Sequence, residues 1–140
     1  MFQSEHSMVS RFVSRLRCNQ VPWGPVGVTR EFYYLRGRAD VVALTSDGRI
    51  LAFEAKLTRW KQALDQAYRN LCFAHSSFTL LPKHTALSAL RSEGEFRRRG
   101  VGICYLEGDQ IVVLLDPARS EPLQPWLAHL VTATISGDGD

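Results

Sequence analysis

The sequence is poor in cysteine, and the few cysteines are badly placed for cross-links. Cys18, Cys72 and Cys104 are an odd number at wide spacings, with no CxxC or CxH cluster. This pattern argues against a disulfide framework and against a zinc finger. Because free cysteine is among the residues most often buried, we expect three buried, reduced thiols.

The chain also lacks a long apolar run and a targeting signal. No run approaches the roughly 18 residues that span a bilayer. The first residues, MFQSEHSMVSRF, carry Glu5 and His6 where a secretory signal would have a basic and then an apolar segment. These two features predict a cytoplasmic protein with no membrane partner.

Lysine is scarce, with 3 Lys against 14 Arg, and the net charge is +3. A mildly basic balance is compatible with a nucleic-acid partner but does not establish one. Hydrophobic residues make up 45% and charged residues 22% of the 140 residues, close to the average of globular proteins. We expect a single domain over residues 1–135 and a disordered tail over residues 136–140.

Apolar periodicity predicts an α/β fold, an α+β mixed sheet with helices on its faces. The predicted core runs helix, three strands, helix, strand, and is followed by a helix, two further strands and a C-terminal helix. Ser46-Asp47-Gly48 is a hairpin signal, the Pro- and Gly-rich segment 19–29 is expected to be a loop, and Ser4 and Thr58 are expected helix N-caps. The predicted helices cover 4–18, 58–74, 85–98 and 123–134, and the predicted strands cover 31–35, 39–44, 49–57, 77–81, 101–106 and 111–115.

Polar side chains interrupt two adjacent apolar strands of this sheet. Asp40 stands at the entrance of the second strand, where an unpaired carboxylate would be costly. Glu54 and Lys56 interrupt the third strand and point to one face, because side chains alternate along a strand with period two. Counting back through the hairpin turn places Asp40 roughly opposite Glu54. We therefore expect the three groups to converge on one patch of the sheet.

Such a patch suits phosphate chemistry. Two neighbouring carboxylates repel unless a positive charge lies between them. Mg²⁺ and Mn²⁺ prefer oxygen ligands, and Mg²⁺ is often held by one or two carboxylates together with waters and phosphate. A bound cation polarises a phosphate and lowers the pKa of its water, and a nearby ammonium stabilises charge that develops on phosphorus. Asp40, Glu54 and Lys56 are thus the minimum set for phosphodiester hydrolysis.

These residues carry a resemblance to a known superfamily. The pattern G-R-A-D, then E-A-K after 13 residues, then Q-A ten residues after the lysine, resembles the PD-(D/E)xK nuclease superfamily, and above all its Holliday-junction-resolvase-like and exonuclease-like members. The resemblance covers roughly residues 4–81 and implies a restriction-endonuclease-like core. It implies that Asp40 and Glu54 are metal ligands with the backbone carbonyl of Ala55, and that Lys56 is the catalytic lysine. Ala39 replaces the proline of the motif, which weighs only against a strict restriction-enzyme relative.

The resemblance also suggests supporting residues around this centre. Gln66 matches a glutamine that several branches place on the following helix, and Glu5 matches an acidic residue of the first helix that would be a further metal ligand. Arg36 and Arg38 lie just before Asp40 and are candidates for binding the phosphates that flank the scissile bond. Lys61 is a candidate for extending this basic margin along the helix.

Each assignment has a plainer alternative. Glu54 and Lys56 could form a same-face ion pair on an exposed sheet, which would stabilise the fold only weakly. Gln66 could belong to an ordinary polar helix surface, and Glu5 could be a first-turn acid placed favourably for the helix dipole. Glu31, near the start of the first predicted strand, competes with Glu5 for the extra acidic position.

Taken together, the sequence predicts a nuclease that uses Mg²⁺ or Mn²⁺ to hydrolyse phosphodiester bonds in DNA by attack of water. No separate recognition domain is expected, so specificity would come from substrate shape, from homodimerisation or from a partner protein. Two alternatives stay open. One is a nuclease-fold module that binds nucleic acid or a protein without cutting, and the other is a ribonuclease or toxin nuclease that uses the same residues.

Overall fold

The computed structural model describes residues 2–18 and 21–138. Six strands and five helices make up this part of the chain, and a short 3₁₀ turn (Asn70–Cys72) follows the second helix. The helices are α1 (Glu5–Leu16), α2 (Trp60–Arg69), α3 (Lys83–Leu90), α4 (Glu93–Arg99) and α5 (Pro125–Asp138). The strands are β1 (Val26–Tyr34), β2 (Gly37–Thr45), β3 (Ile50–Ala55), β4 (Ser76–Leu80), β5 (Val101–Glu107) and β6 (Gln110–Leu115).

The strands form one mixed sheet in which they lie in chain order, from β1 to β6. The β1–β2, β2–β3 and β5–β6 pairs are antiparallel, whereas β3, β4 and β5 are mutually parallel. Parallel neighbours need a crossover connection, and α2 supplies it between β3 and β4, while α3 and α4 supply it between β4 and β5. The predicted order of elements and the mixed α/β fold class are confirmed.

Helices cover both faces of the sheet. On one face α1 contributes Met8 and Phe12 to a cluster with Phe53 and Phe78, which we call the α1-side core. Its aromatic rings pack closely, with the centroids of Phe12 and Phe53 4.8 Å apart. On the other face α5 packs over the β1 end of the sheet, and α2, α3 and α4 pack over the β5 end. The cluster beneath α5, which includes Phe32, Phe73 and Val131, is the α5-side core.

The first strand begins earlier than predicted. Residues 26–29 belong to β1, although their glycine and the nearby prolines favour a loop in the sequence. Gly27 is required there by packing, because a Cβ at this position would lie 2.6 Å from Cγ2 of Ile135 on α5. The sequence pattern therefore predicts a loop at Gly27, whereas the structure shows that this glycine allows the close approach of α5.

The helices also differ from their predicted bounds. Ser4 caps α1 as expected, but α2 begins at Trp60 after Arg59, which makes no side-chain cap bond, so the predicted cap at Thr58 is wrong. The predicted helix over 85–98 is two helices, since the chain turns between them and brings Ala89 and Phe96 into one cluster.

Two further expectations change at the surface. Cys72 and Cys104 are buried free thiols as predicted, but Cys18 is exposed because it follows the end of α1. The terminal helix α5 extends through residue 138 and so takes in part of the predicted tail, while residues 139 and 140 lie outside the described residues. None of the helices in the described ranges combines the length and the apolar character needed to cross a bilayer.

Candidate functional site

The two predicted carboxylates meet where β2 begins and β3 ends. Val41 pairs with Phe53 in the antiparallel ladder, so the register places Asp40 opposite Glu54. The backbone N–H of Asp40 donates to Oε2 of Glu54 over 3.3 Å. The backbone N–H of Ala55 donates to Oδ2 of Asp40 over 2.9 Å. The convergence expected from strand counting is therefore present.

Glu54 is a buried carboxyl group that accepts hydrogen bonds from Asp40 and Asn70. It is 1% exposed, although β3 is otherwise apolar. Burial, and next the negative charge of Asp40, raise the pKa of Glu54 from 4.5 to about 8. Nδ2 of Asn70 donates to Oε2 of Glu54 over 2.7 Å, which partly offsets this shift by favouring the charged form. This burial rules out the plainer alternative of an exposed ion pair between Glu54 and Lys56.

The orientation of Asn70 is fixed by a second hydrogen bond. The hydroxyl group of Tyr34 donates to Oδ1 of Asn70 over 2.6 Å, which leaves the amide nitrogen facing Glu54. Burial raises the pKa of Tyr34 to about 12, so Tyr34 remains a donor at neutral pH. The three side chains form a chain of bonds from β1 through the 3₁₀ turn to β3. This chain holds the carboxyl group of Glu54 in one position.

Six of the predicted residues line one cleft of about 380 Å³. The cleft opens at the end of the sheet between the start of α1 and the helix α2, so both helical layers contribute to it. Lys56 directly follows β3 and is half-buried, and Gln66 is a half-buried residue of α2. The six residues are Glu5, Arg38, Asp40, Glu54, Lys56 and Gln66.

The predicted phosphate-binding cations occupy different positions. Arg38 lies between two acids, with its guanidinium 3.3 Å from Glu31 and 3.4 Å from Asp40. Arg36 is exposed at the turn between β1 and β2, and Nη1 lies 3.5 Å from Sγ of Cys72. Lys61 is exposed and its ammonium lies 5.7 Å from the ring of Trp60. Arg38 lines the cleft, whereas Arg36 and Lys61 are not among its lining residues.

Both candidates for the extra acidic position lie close to Asp40. Glu5 is the first residue of α1, and Glu31 lies opposite Asp40 in the register of β1 and β2. Together they line a second cleft of about 460 Å³ that adjoins the first. Glu31 has a φ of 53°, a left-handed conformation that costs a residue with a side chain roughly 1–2 kcal/mol. Backbone strain of this kind occurs most often at functional sites.

The oxygen atoms at this centre suit a hard divalent cation. The backbone N–H of Asp40 donates to Glu54, and burial together with the charge of Asp40 raises the pKa of Glu54, so a second negative charge is costly there without a cation. Because the N–H and C=O of one strand residue point to the same side, the carbonyl of Ala55 faces Asp40 as its N–H does. The described residues contain no cluster of three or more His, Cys, Asp or Glu side chains that could form a metal cage. Water and phosphate would complete the coordination shell, as is usual for Mg²⁺.

Sequence reasoning missed the residues that surround this centre. Asn70 looks like one member of a polar helix stripe with Gln62 and Gln66, yet it is fully buried against Glu54. A buried carboxylate needs a hydrogen-bond donor, but only the folded structure shows that Asn70 is that donor. Tyr33 and Arg69 also line the cleft.

Comparison with known proteins gives a likeness in fold. No family model matches the chain, and no curated protein matches its sequence. Among solved structures, the chain is similar to the SPO1766 protein of unknown function from Silicibacter pomeroyi, with a TM-score of 0.71 and 17% identity over 99% of this chain and 88% of that one. That likeness shows a shared fold.

Two further structures show lower similarity. A repair endonuclease from Pyrococcus abyssi gives a TM-score of 0.45 and 16% identity, and the match covers 76% of this chain and 49% of that one. SfsA from Pyrococcus furiosus, solved in complex with Ca²⁺, gives a TM-score of 0.37 and 12% identity over 66% of this chain and 55% of that one. The chain spans about half the length of these two proteins.

Proposed function

We propose that the protein is a nuclease of the PD-(D/E)xK type that hydrolyses phosphodiester bonds in DNA with the help of Mg²⁺ or Mn²⁺. The observation that supports this proposal is the convergence of Asp40, buried Glu54, Lys56 and Gln66 in one cleft. The resemblance of the sequence to the superfamily implies roles for the same residues.

Each residue of the cleft has a chemical task in this proposal. Asp40, Glu54 and the carbonyl of Ala55 would hold the cation, which would polarise the phosphate and acidify a water molecule. Lys56 donates hydrogen bonds to the phosphate oxygens as negative charge develops on them. Gln66 offers an amide that can orient the attacking water. The water oxygen forms a new bond to phosphorus, one ester P–O bond breaks, the water proton passes to solvent and the leaving oxygen takes up a proton.

Burial of Glu54 favours an enzyme over a module that only binds nucleic acid. A surface that binds phosphate gains from cations, whereas two adjacent carboxylates repel it. A carboxyl group that is 1% exposed beside a second acid also costs stability. The adjacent acids Asp40 and Glu54 are thus unfavourable both for folding and for phosphate binding. A cation that binds both the acids and the phosphate explains why they are there.

A cleavage assay tests the proposal. Labelled linear duplex, single-stranded and branched DNA, and RNA of matching sequence, are incubated with Mg²⁺, Mn²⁺ or EDTA. We expect cutting of DNA with either metal and none with EDTA. Lys56→Met should lower the rate by about 10²–10³-fold, as removal of one charge-stabilising donor does in other enzymes. Lys83→Met is the matched control, because Lys83 pairs with Glu107 away from the cleft, and it should cut like the wild type.

Four results would contradict parts of the proposal. Cutting in EDTA, or full activity of Lys56→Met, would remove the mechanism. Preferential cutting of RNA would make the protein a ribonuclease. Absence of cutting on every substrate, by a folded protein, would favour the binding module.

A further inference from the structure

The turn between β1 and β2 presents apolar side chains to solvent. Leu35 is 100% exposed and Tyr33 is 70% exposed, while their neighbours Phe32 and Tyr34 pack against Phe73 in the α5-side core. Alternation along β1 accounts for the outward position of Tyr33. Alternation does not account for Leu35, which lies beyond the end of β1 in the turn. Glycine, asparagine and aspartate are the residues favoured at turns, so an exposed leucine is unusual there.

This tip lies beside the candidate catalytic cleft. Tyr33 lines the cleft together with Asp40 and Lys56, and it pairs in the β-ladder with Arg38. The tip is also tied to α2, because Nη1 of Arg69 donates to the backbone carbonyl of Arg36 over 3.5 Å. An exposed aromatic ring and a fully exposed leucine are therefore held at a fixed place next to the proposed scissile phosphate.

Three arginines surround the same tip. Arg36 is exposed on the turn, Arg38 lies one ladder position away and Arg69 reaches it from α2. Apolar side chains among guanidinium groups form a surface that suits a nucleic acid strand, whose phosphates bind the cations and whose unpaired bases stack on the ring. A protruding leucine can also separate neighbouring bases.

We propose that the β1–β2 tip binds an unpaired nucleotide next to the scissile phosphate, with the base stacked on Tyr33 and Leu35 wedged against the adjoining base pair. The substrate class is then DNA with a single-stranded end, flap or junction at the cleavage point, in preference to continuous duplex. This inference rests on the proposed nuclease function for the position of the scissile phosphate.

Binding measured in EDTA tests the tip without any metal-dependent cutting. The probes are a blunt duplex and the same duplex with a single-stranded overhang that carries 2-aminopurine next to the duplex. We expect the overhang to bind at least about fivefold more tightly than the duplex, since one stacked base contributes roughly 1–3 kcal/mol. Stacking on Tyr33 should quench the 2-aminopurine fluorescence.

Variants separate stacking from general effects on the fold. Tyr33→Ala should lose the preference for the overhang and the quenching, while its affinity for the duplex stays within about twofold. Tyr33→Trp should restore both, because stacking requires only an aromatic face. Tyr68→Ala is the matched control: Tyr68 is 51% exposed, lies over Arg99 and should leave both readouts unchanged.

Failure of this inference differs from failure of the proposed function. The tip is not a stacking site if the wild type binds the two DNAs with equal affinity or binds neither. The same conclusion follows if Tyr33→Ala loses the same amount of affinity for both DNAs. If the preference for the overhang is found but Mg²⁺ supports no cutting, the nuclease function falls and the tip stands as a DNA-binding element. If blunt duplex is cut as well as the overhang by wild type and by Tyr33→Ala, the tip falls and the nuclease stands.

Discussion

At the scale of single residues, Glu54 determines both the chemistry of the site and the stability that the fold loses by burying an acid there. The carboxyl group lies in a low-dielectric pocket with Asp40 as neighbour and Asn70 as its side-chain donor. In the metal-free protein it holds a proton up to about pH 8. A bound cation would displace that proton, so metal binding above neutral pH should be stronger than metal binding at acidic pH.

The stability of the metal-free protein should follow this titration. The folded-state pKa of Glu54 is raised to about 8, above an unfolded value of 4.5, so its contribution is fully present below pH 4.5 and is lost as the pH rises through 8. Glu54→Gln resembles the protonated form and cannot ionise. In EDTA at pH 8.5 we expect this variant to have a free energy of unfolding roughly 2–5 kcal/mol above that of the wild type, and to match it near pH 4.5.

Urea denaturation at the two pH values measures this difference. Glu107→Gln is the control, because Glu107 forms an exposed pair with Lys83, and exposed pairs contribute little to stability. Mg²⁺ should raise the stability of the wild type at pH 8.5 and leave Glu54→Gln unchanged. A variant less stable than the wild type at pH 8.5 would show that Glu54 is not an uncompensated buried charge.

At the scale of elements, the β1–β2 ribbon changes face beside the site. Val28 of β1 packs in the α1-side core, whereas Phe32, four residues on, packs in the α5-side core, although strict alternation would keep them on one face. On β2, Val41 and Ala39 change sides in the same way. The left-handed conformation of Glu31 lies between the two halves of β1. The crossover gives Asp40 a position at the edge between the two cores.

Sequence periodicity cannot detect this crossover. Alternation predicted the common face of Glu54 and Lys56 because β3 is regular. Sequence patterns did not place the start of β1, where Gly27 is required by contact with α5, nor the left-handed conformation of Glu31. Turn residues such as Asp47 and Gly48 were interpreted correctly because their conformational preference is local.

Two hydrogen bonds join His75 to Ile50 where β3 and β4 begin. His75, just before β4, donates its backbone N–H to the carbonyl of Ile50 over 2.9 Å. Its ring Nδ1 accepts the backbone N–H of Ile50 over 2.9 Å. His75 therefore satisfies both backbone groups of the first residue of β3. The second bond requires a neutral ring.

This bond should make stability fall in mild acid. Burial lowers the pKa of His75 below its usual 6.5, so the unfolded chain binds the proton first. The contribution is present above pH 6.5 and is lost as the pH falls through the folded value. We expect a loss on the order of 1 kcal/mol, one hydrogen bond, once the pH lies below the folded value, measured by urea denaturation of the Glu54→Gln variant with His75 intact.

The control for His75 is a side chain that accepts without titrating. Oδ1 of asparagine can occupy the place of Nδ1, so His75→Asn in the same background should show no loss between pH 7 and pH 5. His129→Asn, at an exposed histidine of α5, should behave like the wild type. An unchanged pH slope in His75→Asn would show that Nδ1 of His75 is not the titrating acceptor.

At the scale of the whole molecule, the sequence predicted the order of the elements along the chain and the meeting of the central residues, because each depends on short-range counting. Asp40 and Glu54 are joined by one hairpin, and Gln66 lies one helix further on. The buried partners could not be predicted, since only tertiary packing brings Asn70 to Glu54 and Tyr34 to Asn70. Homodimerisation and partner proteins remain predictions.

The most direct test of the central claim is metal binding by the pair Asp40 and Glu54. Isothermal titration calorimetry with Mn²⁺ at pH 8 should give saturable binding to the wild type. Asp40→Asn should weaken that binding at least about tenfold, whereas Asp109→Asn, at an exposed acid paired with Arg11, should bind like the wild type. No saturable heat with the wild type, or equal binding by Asp40→Asn, would contradict the account.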